Sequence, residues 1–150
     1  MTLIPEREKS DLKRSFRTDL KNKVPIKLFT QRTSTLTIPG RECRYCGETQ
    51  QLMEELVALS PKLELEISDF YAQSEEAREL GVERIPAILM GNTAGSRVKF
   101  YGIPMGHEFS TILEGIKTLS RGVSPLSMDS RKKLKKVFLP VHIQVFVTPN

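Results

Sequence analysis

Residues 43–46 read Cys43-Arg44-Tyr45-Cys46, so that two cysteines are separated by two residues. A CxxC pair can be a redox-active dithiol, half of a zinc site, or two structural cysteines that have this spacing by chance. A zinc site needs two further ligands, and apart from carboxylates the chain offers only His107 and His142, which lie far apart in the sequence. The pattern therefore favours redox chemistry and predicts no bound metal.

The residues after the cysteines predict a helix that ends near residue 60, because apolar side chains recur at helical spacing at Leu52, Met53, Leu56, Val57 and Leu59. Unpaired backbone N–H groups at a helix N-terminus stabilise an anion, and Arg44 adds positive charge beside the cysteines. We therefore predict that Cys43, at the start of this helix, is the exposed nucleophile. Cys46, one turn later, is then the resolving thiol.

The residues before the cysteines predict a helix, a strand and a loop. Residues 6–20 indicate an amphipathic helix, because apolar side chains recur at steps of four at Leu12, Phe16 and Leu20. Residues 24–30, VPIKLFT, predict a short strand with a proline near its start, where proline is tolerated. Residues 31–42 are polar and predict a loop that leads into the cysteines.

Two further elements are expected between residues 63 and 81. Residues 63–68 predict a strand with one buried face, since apolar and polar side chains alternate, with Leu63, Leu65 and Ile67 on the apolar face. Residues 73–80 predict a short helix, with Ser74 or Asp69 as its cap and Gly81 at its end. Asp69 has a second possible role as a proton relay to Cys46, and capping is the preferred one.

The remaining pattern predicts a hairpin and a last helix. Residues 85–90 and 97–101 are two apolar runs joined by a turn-rich link at 91–95, which is typical of a hairpin. A helix that ends near residue 122 follows, because apolar residues recur at Phe109, Ile112, Leu113 and Ile116. His107 opens this helix, and we expect it to have a surface role.

This order of elements, with CxxC where the first strand passes into its helix, is the arrangement of the thioredoxin fold. The predicted fold class is therefore α/β, a thioredoxin-like fold with a central mixed sheet of about four strands flanked by helices and with an extra N-terminal helix. In thioredoxin-like proteins the Xaa-Pro bond before the third strand is cis and lies against the CxxC. Pro86 has this position, so we expect the Ile85–Pro86 bond to be cis.

Four segments together resemble the glutaredoxin-like protein disulfide oxidoreductases of archaea and thermophilic bacteria. They are the CxxC, residues 83–88 (ERIPAI), residues 100–109 (FYGIPMGHEF) and residues 140–148. The resemblance implies that Cys43 is the nucleophile, Cys46 the resolving thiol and Pro86 the cis proline. It implies a redox-active disulfide and no further cofactor.

Four residues are expected to contact the substrate. In thioredoxin-like proteins the backbone of the residue before the cis proline faces the substrate, which places Ile85 and Pro86 at this surface. Arg44 and Tyr45 lie between the cysteines, where a cation and an aromatic ring can meet a bound polypeptide. For Tyr45 a solvated ring with no specific role is the alternative.

The chain also departs from this family. Residues 33–41 lengthen the approach to the cysteines, and the second CxxC unit of the family is absent. We expect a thioredoxin-like domain at 1–122, a basic linker at 123–140 and an orphan strand at 141–150 that resembles the start of a second unit. The apolar strand pattern at 141–147 is expected to pair with a sheet edge in this chain or in a partner, to self-associate, or to be poorly ordered. A one-unit relative and a truncated chain both remain open.

Composition narrows the class of protein. The chain has 150 residues, of which 39% are hydrophobic and 27% charged, with a net charge of +5. These values are typical of one globular domain, and no apolar run is long enough to span a membrane. Residues 1–14 contain no apolar signal region, so a cytoplasmic location is expected. The basic run at 131–136 lacks interleaved aromatic residues, so we expect a solvated linker and no nucleic acid or membrane partner.

The sequence thus predicts a thiol–disulfide oxidoreductase that acts on protein disulfides or dithiols. One alternative is a dedicated electron carrier to a peroxidase or reductase partner, itself reduced by a flavin reductase. Another is a thioredoxin-fold binding module in which the cysteines are incidental.

Overall fold

A computed structural model of the chain describes residues 1–32, 38–91 and 98–147. Four strands form one sheet: β1 (Val24–Thr30), β2 (Leu63–Asp69), β3 (Ala87–Met90) and β4 (Lys99–Tyr101). The helices are α1 (Glu6–Asp19), α2 (Cys46–Val57), α3 (Ser74–Glu79), α4 (His107–Arg121) and α5 (Met128–Leu134). Among these helices, none is both long and apolar enough to cross a membrane.

The sheet is mixed, with strand order β2-β1-β3-β4. β1 pairs in parallel with β2, and it pairs in antiparallel with β3, where Phe29 lies opposite Ala87. β3 and β4 form the predicted antiparallel hairpin. Most of its predicted turn, and Arg97 at the start of its second strand, lie outside the described residues. The mixed four-stranded sheet and the extra N-terminal helix confirm the predicted thioredoxin-like fold.

Alternating side chains of β1 point to two apolar clusters, one on each face of the sheet. The larger cluster joins the sheet to α1, α2 and α4, and β1 contributes Val24, Ile26 and Leu28 to it. The smaller cluster joins Phe29 of β1 to the α3 side, where Ala77 packs. The cysteine-bearing helix α2 therefore lies against the larger core, which fixes its position relative to the end of β1.

β2 differs from its prediction at one residue. Leu63 is buried and Leu65 packs against the larger cluster, as the alternation predicts. The side chain of Ile67 is instead 41% exposed, and the neighbouring Ser68 is buried. Because β2 is an edge strand, its apolar side chains are covered only where a helix lies over them.

One side chain on the α3 face is a buried lysine that the sequence pattern does not reveal. Lys27 is only 2% exposed, and its Nζ contacts Glu66 at 2.6 Å and also the Glu76 carboxylate. Burial lowers the pKa of Lys27, but its hydrogen bonds to these two carboxylates outweigh burial, so the pKa lies above the ordinary lysine value. Lys27 therefore remains charged and joins β1 to β2 and α3 by ion pairs.

The first residues of the chain are held by a carboxylate of α2. Glu55 accepts hydrogen bonds from the backbone N–H groups of Leu3 at 2.9 Å and Ile4 at 3.1 Å, and Lys9 lies 3.3 Å from it. The hydrogen bond from Leu3 is the largest of several contacts that lower the pKa of Glu55 to about 2. Glu55 thus fixes the segment that precedes α1.

We expect Glu55→Gln to loosen this segment. Because the pKa of Glu55 falls from 4.5 to about 2 on folding, its contribution to stability is complete above pH 4.5 and is lost as the pH falls through about 2. At neutral pH the variant should show faster hydrogen exchange at the amides of Leu3 and Ile4. Glu54→Gln is the matched control, because Glu54 bonds the side chain of Gln50 on its own helix. Equal exchange in both variants would contradict this role.

A set of hydrogen bonds joins the connection between α1 and β1 to the end of α4. The Ser120 hydroxyl accepts from the N–H groups of Lys21 at 2.8 Å and Asn22 at 3.0 Å, and it donates to the Asn22 carbonyl at 2.6 Å. The Asn22 side chain donates in turn to the Ser120 carbonyl. Ser120 is buried, so these bonds are shielded from water.

The segment predicted to be a basic linker, residues 123–140, contains the helix α5. Ser127 caps it, since its hydroxyl accepts from the N–H of Ser130 at 3.1 Å. Asp129 in the first turn pairs with Lys133 at 2.8 Å, an arrangement that favours a helix. The basic composition alone predicts a solvated segment and gives no indication of a helix. The cap at Ser127 and the Asp129–Lys133 pair are the local signals that favour one.

The strand predicted at 141–147 is absent from the described part of the chain. Residues 135–147 form no helix or strand there, and residues 131–147 are exposed. The reason is that none of the four strands pairs with this segment. Its pairing with a partner chain and the domain boundaries at 122 and 140 stay predictions.

Candidate active site

The two cysteines form a disulfide with a Cα–Cα distance of 5.5 Å. Cys46 is the first residue of α2 and is 3% exposed, whereas Cys43 precedes the helix and is partly exposed. The prediction that Cys43 begins the helix is wrong by three residues, because Arg44 and Tyr45 form a turn before α2 starts. The two residues still differ in exposure, since Cys43 is partly exposed and Cys46 is buried.

Threonine hydroxyls hold the start of α2 in place. The Thr49 hydroxyl donates to the Tyr45 carbonyl at 2.7 Å, and the Thr49 N–H donates to the same oxygen at 2.9 Å. The Thr30 hydroxyl, at the end of β1, lies 3.4 Å from the Cys46 carbonyl and donates to it. Sequence reasoning missed both threonines, although Thr49 lies four residues after Tyr45, the usual spacing for such a bond.

The Ile85–Pro86 bond is cis, as predicted. Pro86 precedes β3, whose first residue Ala87 lies opposite Phe29 of β1. Since Thr30 is the next residue after Phe29, Pro86 and the Thr30–Cys46 contact lie at the same end of the sheet. The Pro86 carbonyl accepts a hydrogen bond from the Gly102 N–H at 2.9 Å, which ties the proline to the loop after β4.

Exposed arginines lie on aromatic rings around this end of the sheet. The Arg44 guanidinium lies 5.2 Å from the centroid of the Tyr45 ring, and Arg84 lies 5.4 Å from that of Tyr101. Arg41 lies 4.6 Å from the Tyr71 ring, which joins the loop before Cys43 to the connection after β2. Stacking of this kind limits the motion of side chains that would otherwise be freely solvated.

Asp69 caps the turn after β2. Its carboxylate accepts from the N–H groups of Tyr71 at 3.0 Å, Ala72 at 2.8 Å and Arg32 at 2.9 Å. Burial raises the pKa of Asp69, but these backbone hydrogen bonds outweigh it and hold the pKa below its usual value. The prediction that Ser74 or Asp69 caps α3 is wrong, because Gln73 is the N-cap and no side chain that the structure describes caps this helix; the Asp69 carboxylate instead holds the turn that precedes it. The structure brings Asp69 to the backbone of this turn and of Arg32, and no contact with Cys46 is observed within the described residues.

Within residues 1–32, 38–91 and 98–147, no three His, Cys, Asp or Glu side chains form a group that could hold a metal ion. His107 begins α4 and is exposed. The residues that the structure does bring together at one end of the sheet are therefore the disulfide, Thr30 and the cis proline.

Comparisons with known proteins agree with this geometry. The sequence profile of the thioredoxin domain family matches residues 35–114, which is more than half of the chain. No curated protein sequence matches the chain significantly.

Among solved structures, a protein disulfide oxidoreductase from Aeropyrum pernix is similar with a TM-score of 0.73 and 25% identity, over 88% of this chain and 54% of that one. AhpF, which belongs to the alkylhydroperoxide reductase of Enterococcus faecalis, is similar with a TM-score of 0.70 and 23% identity, over 87% and 59% of the two chains. A thioredoxin from Halobacterium salinarum has a TM-score of 0.51 and 15% identity, over 83% and 93%.

The chain thus spans little more than half the length of the first two structures. The fold, the CxxC disulfide and the family profile lead to the same conclusion. The chain belongs to the thioredoxin domain family.

Proposed function

We propose that the protein is a thiol–disulfide oxidoreductase whose redox-active pair is Cys43 and Cys46. The observation that supports this most strongly is the disulfide before α2, with one cysteine partly exposed and the other buried. An exposed sulfur can meet a substrate, while a buried neighbour reacts only within the pair. This asymmetry is what a two-step exchange requires.

The reaction starts from the reduced pair. The Cys43 thiolate attacks one sulfur of a substrate disulfide, forms a mixed disulfide, and releases the other substrate sulfur as a thiolate that takes a proton from water. Cys46, after losing its proton, then attacks the Cys43 sulfur and releases the second substrate thiolate. The substrate gains two electrons and the pair becomes the Cys43–Cys46 disulfide. The reverse sequence oxidises a substrate dithiol.

The N-terminus of α2 supports the thiolate. Its backbone N–H groups and the positive end of the helix dipole favour negative charge at the adjacent sulfur, and the Arg44 guanidinium adds a cation. The contacts of Thr30 and Thr49 hold this end of α2 to the sheet and to the turn. These residues are positioning residues, because they act on the backbone that bears the cysteines.

The proposed substrate is a protein disulfide or dithiol that binds beside the pair. Ile85 is partly exposed, Arg44 and Tyr45 are exposed, and Pro86 is buried. In our proposal the backbone at Ile85 meets the substrate chain, while Tyr45 and Arg44 contact its side chains. Reduction of insulin disulfides with dithiothreitol as electron donor tests the activity. We expect the protein to accelerate insulin precipitation over dithiothreitol alone.

A dedicated electron carrier to a peroxidase or reductase is the second candidate. The structural likeness to a component of an alkylhydroperoxide reductase supports it, although that likeness concerns the fold. In this case a flavin reductase would reduce the Cys43–Cys46 disulfide, and the reduced pair would in turn reduce one partner protein far faster than it reduces insulin. An assay that couples NAD(P)H oxidation through a flavin reductase to each substrate separates the two functions.

Alkylation distinguishes both functions from a binding module with incidental cysteines. In the reduced protein we expect Cys43 to react with iodoacetamide faster at neutral pH than an ordinary exposed thiol, because the helix N-terminus and Arg44 favour the thiolate. The label should lie on Cys43, with little on the buried Cys46. Equal labelling of both thiols at the rate of an ordinary thiol would instead support the binding module.

A further inference from the structure

A groove of about 580 Å³ lies beside α1, outside the candidate active site. Its walls are the first turns of α1, the loop after β4 and the start of α4. Most of its surface is apolar, and its apolar lining residues include Leu12, Leu52, Ile103, Met105, Phe109 and Leu113. Met105, one of these lining residues, is exposed, so apolar surface is accessible from solvent. The extra N-terminal helix therefore creates a binding surface for apolar side chains.

The charged residues that line this groove are both acidic. Glu8 and Asp11 lie three residues apart on α1, and both are exposed. No lysine or arginine is among the lining residues that the structure describes, although the chain as a whole has a net charge of +5. Arg14 lies 3.8 Å from Asp11, but both side chains are solvated and such a pair is weak. The groove thus suits a ligand that combines apolar side chains with positive charge.

The chain itself contains a segment with this composition. Residues 135–139, KKVFL, place two lysines before three apolar residues, and five of the six residues at 131–136 are basic. Phe138 is 89% exposed, and Leu139 and Val137 are also exposed. These side chains are therefore not seated in the groove of their own chain. Exposed apolar side chains of this size mark contact surfaces when they are adjacent to one another.

We propose that the groove of one protomer binds residues 135–139 of a second copy of the chain. Phe138 and its apolar neighbours enter the groove, and Lys135 and Lys136 lie near Glu8 and Asp11. Because each copy has one groove and one segment, two copies can bind each other reciprocally about a twofold axis, which closes the assembly as a dimer. This inference does not rest on the proposed redox chemistry.

Sedimentation velocity of the oxidised protein, in which both cysteines are paired, tests the proposal. We expect a concentration-dependent equilibrium between monomer and dimer. Phe138→Asp should remove the dimer, because a carboxylate would enter an apolar groove lined by acidic residues. Phe146→Asp is the matched control: Phe146 is 86% exposed but lies outside the proposed segment, and this variant should dimerise like the unmodified protein.

Charge exchange tests the pairing directly. The groove variant Glu8→Lys with Asp11→Lys, and the segment variant Lys135→Glu with Lys136→Glu, should each be monomeric, because like charges would meet at both contacts. A mixture of the two variants should form a heterodimer, since both contacts are then complementary. The proposal is overturned if the unmodified protein is monomeric at all concentrations or forms open-ended polymers. It is equally overturned if Phe146→Asp removes the dimer, or if the mixture stays monomeric.

Discussion

Cys43→Ser is expected to lower the rate of insulin reduction to that of dithiothreitol alone. The serine hydroxyl is not ionised at neutral pH and cannot form a disulfide, so neither the attack on substrate nor the closing of the pair can occur. The buried position of Cys46 prevents it from replacing Cys43. The measurement is insulin turbidity with the variant and the unmodified protein at equal concentration.

Cys46→Ser is the matched control, because it removes one thiol by the same chemical change. In this variant Cys43 still attacks the substrate, but no second thiol resolves the product, so a mixed disulfide should accumulate. Non-reducing gels and mass spectrometry detect that adduct. If Cys43→Ser traps substrate as well as Cys46→Ser does, the roles assigned to the two sulfur atoms are wrong.

Phe16→Ala should lower the free energy of unfolding by about 3–5 kcal/mol, the range measured for large-to-small changes at buried aromatic residues. Phe16 is 1% exposed and packs α1 into the larger core cluster. Phe138→Ala makes the same chemical change at a side chain that is 89% exposed, and it should change the free energy of unfolding by about 0.5 kcal/mol or less. Urea unfolding at low protein concentration measures both.

Similar values for the two variants would contradict the packing of α1 that the structure shows. Phe16→Ala could instead lower the free energy of unfolding by less and leave the urea midpoint of the sheet unchanged. That result would mean that α1 unfolds separately from the rest. The same urea curves distinguish these results, since separate unfolding gives two transitions.

The elements that were predicted from sequence are those with a strong local signal. β1 was predicted with the bounds that the structure has, because an apolar run between a polar turn and a polar loop indicates a strand directly. The end of α4 at Gly122 was found from its glycine, which adopts the left-handed conformation there. The cis bond before Pro86 followed from its place in the predicted order of elements.

The features that were missed depend on residues that are distant in sequence. Lys27 contacts carboxylates 39 and 49 residues away, so its burial has no local signature. Ile67 lies in a strand whose position at the sheet edge is known only from the strand order. For the site, sequence located the cysteines and the cis proline, but the hydrogen bond of Thr30 to Cys46 and that of Gly102 to Pro86 require the assembled sheet.

The hydrogen bonds of Ser120 bring together the two ends of the segment that contains all four strands, residues 21–120. Lys21 and Asn22 lie 99 and 98 residues from Ser120 in sequence, yet their backbone groups meet its hydroxyl. The segment from Lys21 to Ser120 therefore begins and ends at the same place. α1 precedes this segment and α5 follows it. A unit with adjoining ends can be inserted into a surface loop of a host protein, or given new termini elsewhere, without separating its strands. Because α5 has no buried residue, its length or charge can change without altering the unit that bears the disulfide, whereas α1 is constrained by the burial of Phe16.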